Sequence, residues 1–337
     1  MMNEWLQIIG TASGQKALQA AALNDVAKAK AFGINSDNVE QVIEERSQLL
    51  QSVLPVFSQF CQHRLHRPCE PMLPVLWEWW LPLAMKIASQ KQQLQRPFIQ
   101  GILGSQGTGK TTMCQVLDLI FQEMGYRSAS LSLDDLYKTY DERLALTQAD
   151  PRLIWRGPPG THDVNLGIDV LEQVRQAKTT VTIPRFDKSA YNGAGDRTQP
   201  EVVPGIDILL FEGWFVGVRP IDPQLFDHAP APIFTDADQA FAREMNQRLS
   251  EYLPLWARLD SLIVLYPIDY RYSVEWRKQA ERQMIASGKS GMTDSEIEKF
   301  VNYFWRSLHP ELFIKPLTKS PSLVDLVIEI NQDHSWK

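Results

Sequence analysis

The chain has 337 residues, of which 44% are hydrophobic and 22% are charged, and its formal net charge is −6. These values fit a folded protein of one large domain or two domains, and the negative charge argues against a nucleic-acid-binding surface. Three cysteines without a repeated spacing argue against a disulfide framework. The N-terminus lacks the features of a signal peptide, and the longest apolar stretch, residues 71–88, contains charges and prolines. We therefore expect no membrane span and a cytoplasmic protein.

Residues 1–95 are expected to form a helical accessory region. Residues 16–31 are rich in alanine, and residues 39–60 carry apolar side chains at helical spacing. Trp77, Trp79 and Trp80 follow as a dense aromatic cluster. Packing inside the protein is the favoured interpretation of this cluster, and a partner surface is the alternative.

Residues 96–337 are expected to form a single domain in which strands alternate with helices. The predicted strands are residues 98–103, 127–133, 179–184, 206–211, 262–266 and 323–330. One predicted helix begins at Thr112, and the others cover residues 164–177, 236–258, 272–286 and 294–308. Asp163 is the predicted N-cap of the helix over residues 164–177. This alternation is typical of a parallel sheet, so the predicted fold class is α/β.

A phosphate-binding loop is the strongest signal in the chain. Residues 104–111 fit the pattern G-x-x-x-x-G-K-[ST] between a predicted strand and a predicted helix, which turns backbone N–H groups toward phosphates. Lys110 would reach the β- and γ-phosphates of ATP, and Thr111 would hold Mg²⁺. The flanking elements disfavour a simple glycine-serine turn. The residues expected to contact the nucleotide are Gly104, Ser105, Gln106, Gly107, Thr108, Gly109, Lys110, Thr111 and Thr112.

Acidic residues stand at the ends of two predicted strands. Glu212 follows an apolar strand and is interpreted as the acid that orients Mg²⁺, with a solvated acid in a turn as the alternative. Asp134 and Asp135 follow another strand, where a carboxylate can accept a proton from an attacking hydroxyl group. The pattern alone does not choose between these two aspartates.

Two segments concentrate basic residues. Residues 184–197 are charged and contain glycines, which suits either an anionic substrate or a surface hairpin. Arg271, Arg277, Lys278 and Arg282 lie on or beside a predicted helix. Taken alone, these four are more typical of a solvated helix face than of a site for a triphosphate.

With these motifs, the chain resembles the D-glycerate 3-kinases of plants and cyanobacteria, which belong with the uridine, pantothenate and phosphoribulo-kinases. The resemblance runs from about residue 97 to the C-terminus, and residues 185–197 are its most specific stretch. It implies a P-loop α/β sandwich with a five-stranded, mostly parallel sheet and a lid near residues 270–292. It also implies ATP and Mg²⁺ as cofactors, D-glycerate as the small-molecule substrate and a role in photorespiration, with no nucleic acid or membrane partner.

The resemblance also assigns roles to residues. It selects Asp134 rather than Asp135 as the base. It also places Arg277 in the lid, so the basic helix is interpreted as part of the triphosphate site and no longer as a solvated face. The implied catalytic residues are Lys110, Asp134, Glu212 and Arg277, with Thr111 and Glu212 at the metal. The implied substrate-binding residues are Arg156, His162, Arg185, Asp187, Lys188, Tyr191 and Arg197. Another P-loop kinase, for a nucleoside, pantothenate or a sugar phosphate, and a non-catalytic nucleotide sensor remain alternatives.

Overall fold

The computed structural model describes residues 9–286 and 291–337. The expectations about residues 1–8 and about lid residues 287–290 lie outside the described residues. The chain separates into two compact units. One contains the described residues up to Phe98 together with Thr111–Ala129, and the other contains Ile99–Lys110 together with Ser130–Lys337.

The first unit is helical. Its helices are α1 (Ala12–Asn24), α2 (Val26–Phe32), α3 (Val39–His63), α4 (Leu81–Leu94) and α5 (Lys110–Glu123), with short helical segments at Glu70–Met72, Leu73–Val75 and Leu76–Trp80. The alanine-rich stretch of residues 16–31 is helical but divided, because Asp25 separates α1 from α2. The Asp25 carboxylate accepts the Lys28 N–H at 3.0 Å and so caps a new helix.

The core of this unit forms around α3. Ile43, Val53 and Phe57 on this helix are fully buried. The Trp80 ring packs edge-on against Phe57, with ring centroids 6.1 Å apart. Trp77, Trp79 and Trp80 are only 6%, 4% and 3% exposed, which confirms that the tryptophan cluster is packing.

The second unit contains the parallel sheet. The strands of the chain are β1 (Phe98–Gly104), β2 (Ser128–Ser132), β3 (Thr180–Asp187), β4 (Asp196–Pro204), β5 (Ile208–Gly213), β6 (Ser261–Pro267) and β7 (Leu326–Ile330). Five of them form one sheet in the order β2-β5-β1-β6-β7, and β6 pairs in parallel with both β1 and β7. β1 and β5 are buried along their whole length, as central strands covered on both faces must be. The predicted α/β class is confirmed.

Strands β3 and β4 form a separate antiparallel hairpin. The strand predicted at residues 179–184 therefore continues to Asp187 and lies outside the parallel sheet, and β4 was not predicted at all. β4 is mostly polar and exposed, so it lacks the apolar alternation by which half-buried strands are recognised. The pairing shifts register between Ile183 and Arg185, at Pro184, which has no N–H to donate.

The remaining helices of the second unit are α6 (Tyr140–Ala149), α7 (Val164–Arg175), α8 (Asp236–Arg248), α9 (Tyr272–Ala286), α10 (Asp294–Ser307) and α11 (Pro310–Leu317). Short helical segments occur at Leu133–Leu136, Tyr191–Gly193, Pro223–His228, Leu249–Tyr252 and Leu253–Trp256. The predicted helix over residues 236–258 is thus three successive segments.

The start of α7 matches its prediction. The Asp163 carboxylate accepts the Leu166 N–H at 3.0 Å, which confirms the predicted N-cap. The polar helix α6 was not predicted. Across residues 9–286 and 291–337, no helix combines the length and apolar character that crossing a membrane requires.

Candidate active site

The phosphate-binding loop follows the C-terminal end of β1. Gly107 and Gly109 both have φ of +83°, a conformation that glycine adopts without steric cost. The Thr108 hydroxyl donates to the Ser105 carbonyl at 2.8 Å. The Lys110 ammonium donates to the same carbonyl at 3.0 Å. The loop is therefore folded on itself, with the lysine side chain lying back along it.

Two polar atoms of this loop are buried without a hydrogen bond. Ser105 Oγ and Gln106 Oε1 have no partner among the described residues. Buried polar atoms are paired in most proteins, and exceptions cluster where a ligand completes the pairing. A Cβ on Gly107 would lie 2.7 Å from Trp276 Cβ, so a side chain does not fit at that position. Thr111 and Thr112 lie in the first turn of α5, which begins at Lys110.

Glu212 lies at the C-terminal end of β5, one residue before the strand ends. Its side chain is buried, at 9% exposure. Within residues 9–286 and 291–337, no side chain pairs with its carboxylate. The C-terminal ends of the strands are where open α/β sheets bind their ligands, so a carboxylate at this position suits a bound cation.

The two neighbouring aspartates have different surroundings. Both lie in the short 3₁₀ helix Leu133–Leu136, directly after β2. Asp135 accepts the Ser132 N–H at 3.0 Å and forms an ion pair with Arg185 at 3.0 Å. Asp134 instead accepts the Tyr137 hydroxyl at 2.8 Å and the Lys188 ammonium at 2.6 Å. The Asp135 carboxylate thus holds the backbone at Ser132, whereas the hydrogen bonds that the Asp134 carboxylate accepts within the described residues come from side chains.

The two carboxyl groups also differ in their acidity. Burial opposes ionisation of Asp134, but the Lys188 ammonium and the Tyr137 hydroxyl outweigh it and hold the pKa of Asp134 below its usual value. Burial raises the pKa of Asp135, and the Ser132 N–H and Arg185 only partly oppose this. Asp134 is therefore the more readily ionised of the pair.

His162 is buried beside this pair, with 2% exposure, and its ring stacks on Tyr137 at a centroid distance of 4.7 Å. The Tyr252 hydroxyl oxygen accepts the Gly160 N–H at 2.9 Å and lies 2.8 Å from His162 Nδ1. Because no other acceptor for the Tyr252 proton is found among the described residues, the hydroxyl donates to Nδ1. Nε2 then carries the ring proton, and it has no partner there.

Burial lowers the pKa of His162 to about 3, which keeps the imidazole neutral at pH 7. The negative charge of Asp134 only partly opposes this effect. A neutral ring that stacks on Tyr137 supports the position of that tyrosine without adding a charge next to Asp134.

The β3–β4 hairpin carries most of the predicted substrate residues. Arg185 forms ion pairs with Glu201 at 2.7 Å and with Asp135. Arg197 donates to the Tyr137 carbonyl at 2.9 Å and pairs with Asp163 at 2.9 Å. Both guanidinium groups therefore fasten the hairpin to the segment that contains Asp134.

Two other predicted residues lie at the exposed tip of the hairpin. The Asp187 carboxylate accepts the Ser189 N–H at 2.8 Å and its hydroxyl at 2.6 Å. The Tyr191 ring is 57% exposed and stacks on Tyr140 at a centroid distance of 4.1 Å. Neither side chain is brought into contact with Asp134, unlike Lys188.

Arg156 faces an open cleft together with a second arginine, Arg143. The cleft has an empty volume of about 930 Å³ and is also lined by Tyr140, Thr161 and Asn192. Arg156 donates to the carbonyls of Gly193 and Ala194 at 2.8 and 2.9 Å. Arg143 donates to the carbonyls of Ala194 and Gly195.

The two guanidinium groups lie over the same ring, 5.2 Å and 5.5 Å from the centroid of Phe186. Burial and the neighbouring charge of Arg156 lower the pKa of Arg143. Neither arginine forms an ion pair with an acidic side chain in the described part of the chain. Two adjacent cations that bind only carbonyl oxygens make a favourable place for a carboxylate.

Arg277, on α9, is engaged within the second unit. Its guanidinium pairs with Glu281 at 2.5 Å and lies 5.6 Å from the Phe300 centroid, on α10. Glu281 is itself 4% exposed and accepts the Met292 N–H at 3.2 Å. In this conformation Arg277 joins the two helices that follow β6.

Curated relatives align with much of the chain. A D-glycerate 3-kinase from the chloroplast of Arabidopsis thaliana is 32% identical over 254 residues, which is 71% of this chain and 54% of that protein. The kinase mug58 of Schizosaccharomyces pombe is 33% identical over 221 residues, which is 62% of this chain and 79% of that protein. The chain belongs to the P-loop kinase family of the D-glycerate 3-kinases.

A solved D-glycerate 3-kinase from Cryptococcus neoformans shares the fold of this P-loop kinase, with a TM-score of 0.68 and 28% identity. The alignment covers 76% of this chain and 97% of that chain. The predicted family and the predicted P-loop kinase fold are thereby confirmed. The chain spans about half the length of the Arabidopsis relative, at 54%. No family model matches the chain.

Sequence reasoning missed Arg143, Tyr137 and Tyr252 in this P-loop kinase. Arg143 lies on the polar helix α6, which has no apolar face to mark it as structured. Tyr137 was assigned no role, although its hydroxyl donates to the Asp134 carboxylate at 2.8 Å. Tyr252 contacts His162 across 90 residues of sequence, and no local pattern reports such a contact.

Proposed function

We propose that the protein transfers the γ-phosphate of ATP to the 3-hydroxyl group of D-glycerate, giving 3-phospho-D-glycerate. The observation that carries this proposal is the grouping of an ionisable base, Asp134, with Arg143 and Arg156, two arginines that form no ion pair within residues 9–286 and 291–337. Tyr137 connects them, because its hydroxyl binds Asp134 and its ring centroid lies 5.9 Å from the Arg156 guanidinium carbon. D-Glycerate offers the matching pair of groups, a hydroxyl and a carboxylate.

The nucleotide is assigned to the phosphate-binding loop. The orphan polar atoms of Ser105 and Gln106, in a glycine-rich loop before a helix, support a bound triphosphate. Lys110 would contact the β- and γ-phosphates. Thr111 and Glu212 supply the oxygen atoms that suit Mg²⁺, and a bound ion would neutralise charge on the transferring group.

The acceptor is assigned to the cleft lined by Arg143 and Arg156, with its hydroxyl group directed toward Asp134. Arg156 and Arg143 would bind the glycerate carboxylate through charge-assisted hydrogen bonds. Lys188 would lie near the reacting hydroxyl, because its ammonium already contacts Asp134. Arg185 and Arg197 would act on the substrate through the segment that they hold, since both are paired with carboxylates.

The proposed step moves one proton and one phosphoryl group. The 3-hydroxyl oxygen forms a bond to the γ-phosphorus while the bond between that phosphorus and the bridging oxygen of ADP breaks. The hydroxyl proton passes to the Asp134 carboxylate. Arg277 would have to leave Glu281 to neutralise charge on the transferring group, a change that fits a closing lid. Positioning and electrostatics would supply most of the rate enhancement.

A coupled ADP-release assay tests this proposal. The full chain with Mg·ATP would be offered D-glycerate, L-glycerate, uridine, pantothenate and ribulose 5-phosphate, and the product would be identified by phosphorus NMR. Turnover with D-glycerate alone, giving the 3-phosphate, is the expected result. Turnover with another acceptor would show that the substrate is not D-glycerate. A 2-phosphate product would show that the 2-hydroxyl group attacks instead of the 3-hydroxyl group. ATP binding without turnover would favour a nucleotide sensor.

A further inference from the structure

The first unit contains a buried arginine with two nitrogen atoms that lack a hydrogen-bond partner among the described residues. Arg46 lies on α3 and is only 5% exposed. Its Nε and one terminal nitrogen, Nη2, have no hydrogen-bond partner in the part of the chain that is described. Burial lowers the pKa of Arg46 to about 10, and no acidic side chain opposes this effect. Arginine is rarely buried in this way unless a negative group satisfies it.

The side chain of Arg46 lines a cavity inside the same unit. The cavity, called the Arg46 cavity below, has an empty volume of about 740 Å³. Its apolar lining includes Leu18, Phe32, Ile34, Ile43 and Trp77. The guanidinium carbon lies 5.2 Å from the Trp77 ring centroid, so the aromatic face holds the cation in place.

The acidic residues that also line the cavity are already paired. Lys28 Nζ lies 2.6 Å from a Glu78 carboxylate oxygen and 3.3 Å from an Asp25 oxygen. Both carboxylates thus pair with Lys28, and neither forms an ion pair with Arg46. Among the described residues, Arg46 is the cation of this lining that has no ion-pair partner.

We propose that the Arg46 cavity binds a small organic monocarboxylate, with its carboxylate on Arg46 and its hydrocarbon part against the apolar lining. A carboxylate matches the planar donors of a guanidinium group, and the apolar lining suits a hydrocarbon chain. The lining also contains the carboxylates of Asp25 and Glu78, which would repel the two charges of a phosphate dianion more strongly than the single charge of a monocarboxylate. This site is independent of the proposed kinase reaction, because it uses only residues of the helical unit.

Binding of sodium butyrate to the full chain tests the proposal, with neutral butyramide and inorganic phosphate as comparison probes. Isothermal titration and thermal unfolding are the two readouts. The wild-type protein is expected to bind butyrate at least tenfold more tightly than butyramide or phosphate, and butyrate is expected to raise its Tm. Arg46→Met is expected to weaken butyrate binding at least tenfold and to abolish the rise in Tm.

Arg46→Met keeps the side-chain volume and removes an uncompensated charge, so this variant should fold with an unchanged or higher Tm without butyrate. Lys30→Met removes an exposed positive charge from α2 in the same unit, and it should bind butyrate like the wild type. Equal binding of butyramide, tighter binding of phosphate, or no binding of butyrate would each overturn the proposal. So would a large loss of Tm in Arg46→Met without butyrate, because it would give Arg46 a structural role.

One carboxylate of the chain itself offers a competing explanation, since Glu4 is the acidic residue within residues 1–8. Glu4→Gln separates the two cases. Under the proposal, this variant binds butyrate with wild-type affinity. If Glu4→Gln instead binds butyrate more than tenfold more tightly than the wild type, the chain's own carboxylate is the natural partner of Arg46 and the proposal is wrong.

Discussion

The Lys188 ammonium lies 2.6 Å from the Oδ2 atom of Asp134, and this ion pair connects the tip of the β3–β4 hairpin to the turn after β2. The same carboxylate accepts the Tyr137 hydroxyl through its other oxygen. Asp134 is thereby kept ionised next to a cation that can also contact an incoming hydroxyl group. The neighbouring Asp135 has neither contact.

Asp134→Asn is expected to lower kcat by about 10²–10⁴-fold, because the amide cannot accept the hydroxyl proton. Asp135→Asn is expected to keep most of kcat and to lower Tm, since it weakens the capping interaction with Ser132 and the ion pair with Arg185. Steady-state kinetics with D-glycerate and thermal unfolding of both variants provide the comparison. A larger loss of kcat in Asp135→Asn would reverse the assignment of the base.

Lys188→Met is expected to raise the pKa of Asp134, because the ammonium is the main group that lowers it. The proposed base must be ionised, so the acid limb of the pH profile of kcat/KM for D-glycerate should move to higher pH. Arg243→Met, which removes a cation from a surface ion pair with Asp227, should leave this limb in place. An acid limb that stays fixed in Lys188→Met would mean that Asp134 does not control it.

Arg143→Gln is expected to lower kcat/KM for D-glycerate by about 10- to 150-fold, the usual range for losing a charged hydrogen bond. The matched substrate is D-glyceramide, in which a neutral amide replaces the carboxylate. If Arg143 binds the carboxylate, the preference of the enzyme for D-glycerate over D-glyceramide should fall with the variant. If Arg143 only holds the carbonyls of Ala194 and Gly195, both substrates should lose the same factor.

Lys110→Ala is expected to remove most of the turnover, because the lysine is the cation assigned to the β- and γ-phosphates. Measurement of ATP affinity by titration alongside kcat separates loss of binding from loss of chemistry. Near wild-type kcat would contradict the nucleotide assignment.

The buried imidazole of His162 predicts a pH dependence of stability. Its folded pKa of about 3 lies below the ordinary value of 6.5, so the unfolded chain binds the proton more readily between these values. The free energy of unfolding should therefore decrease as the pH falls below about 6.5, by up to ~1.4 kcal/mol per pH unit. Urea unfolding at pH 7 and pH 5 measures this slope.

His162→Gln should show a smaller difference between the two pH values than the wild type. The exposed His63, at the end of α3, serves as the control position, and His63→Gln should retain the wild-type slope. An unchanged slope in His162→Gln would show that the imidazole is accessible to protons in the folded protein.

The parts of the fold that the sequence predicted are those with strong local signals. The phosphate-binding loop, the apolar runs of β1, β5 and β6, and the N-cap at Asp163 all come from neighbouring residues. β4 was missed because its polar, exposed side chains carry no periodic signal. The residues of the candidate site were chosen mainly through family resemblance.

The contacts among those residues were beyond sequence reasoning, because they join distant parts of the chain. Arg185 and Arg197 look equivalent to Lys188 in the sequence, yet the fold pairs the two arginines with other carboxylates and pairs Lys188 with Asp134. Arg46 stands in a helix rich in charged residues, and only packing shows that it is enclosed. Whether a single charged side chain is buried depends on the elements that pack over it. The spacing of apolar residues along one helix does not contain that information.

The β3–β4 hairpin has unequal protection from solvent along its length. β3 is buried around Ile183 and exposed at Asp187, and most of β4 is exposed, whereas β1 is buried throughout. Backbone amides of β1 should exchange with deuterium only when the second unit unfolds, but those of the exposed strand β4 should exchange sooner, through local opening. Slow exchange in β1 and faster exchange in the hairpin that carries Lys188 would show that the two parts of this unit differ in local stability.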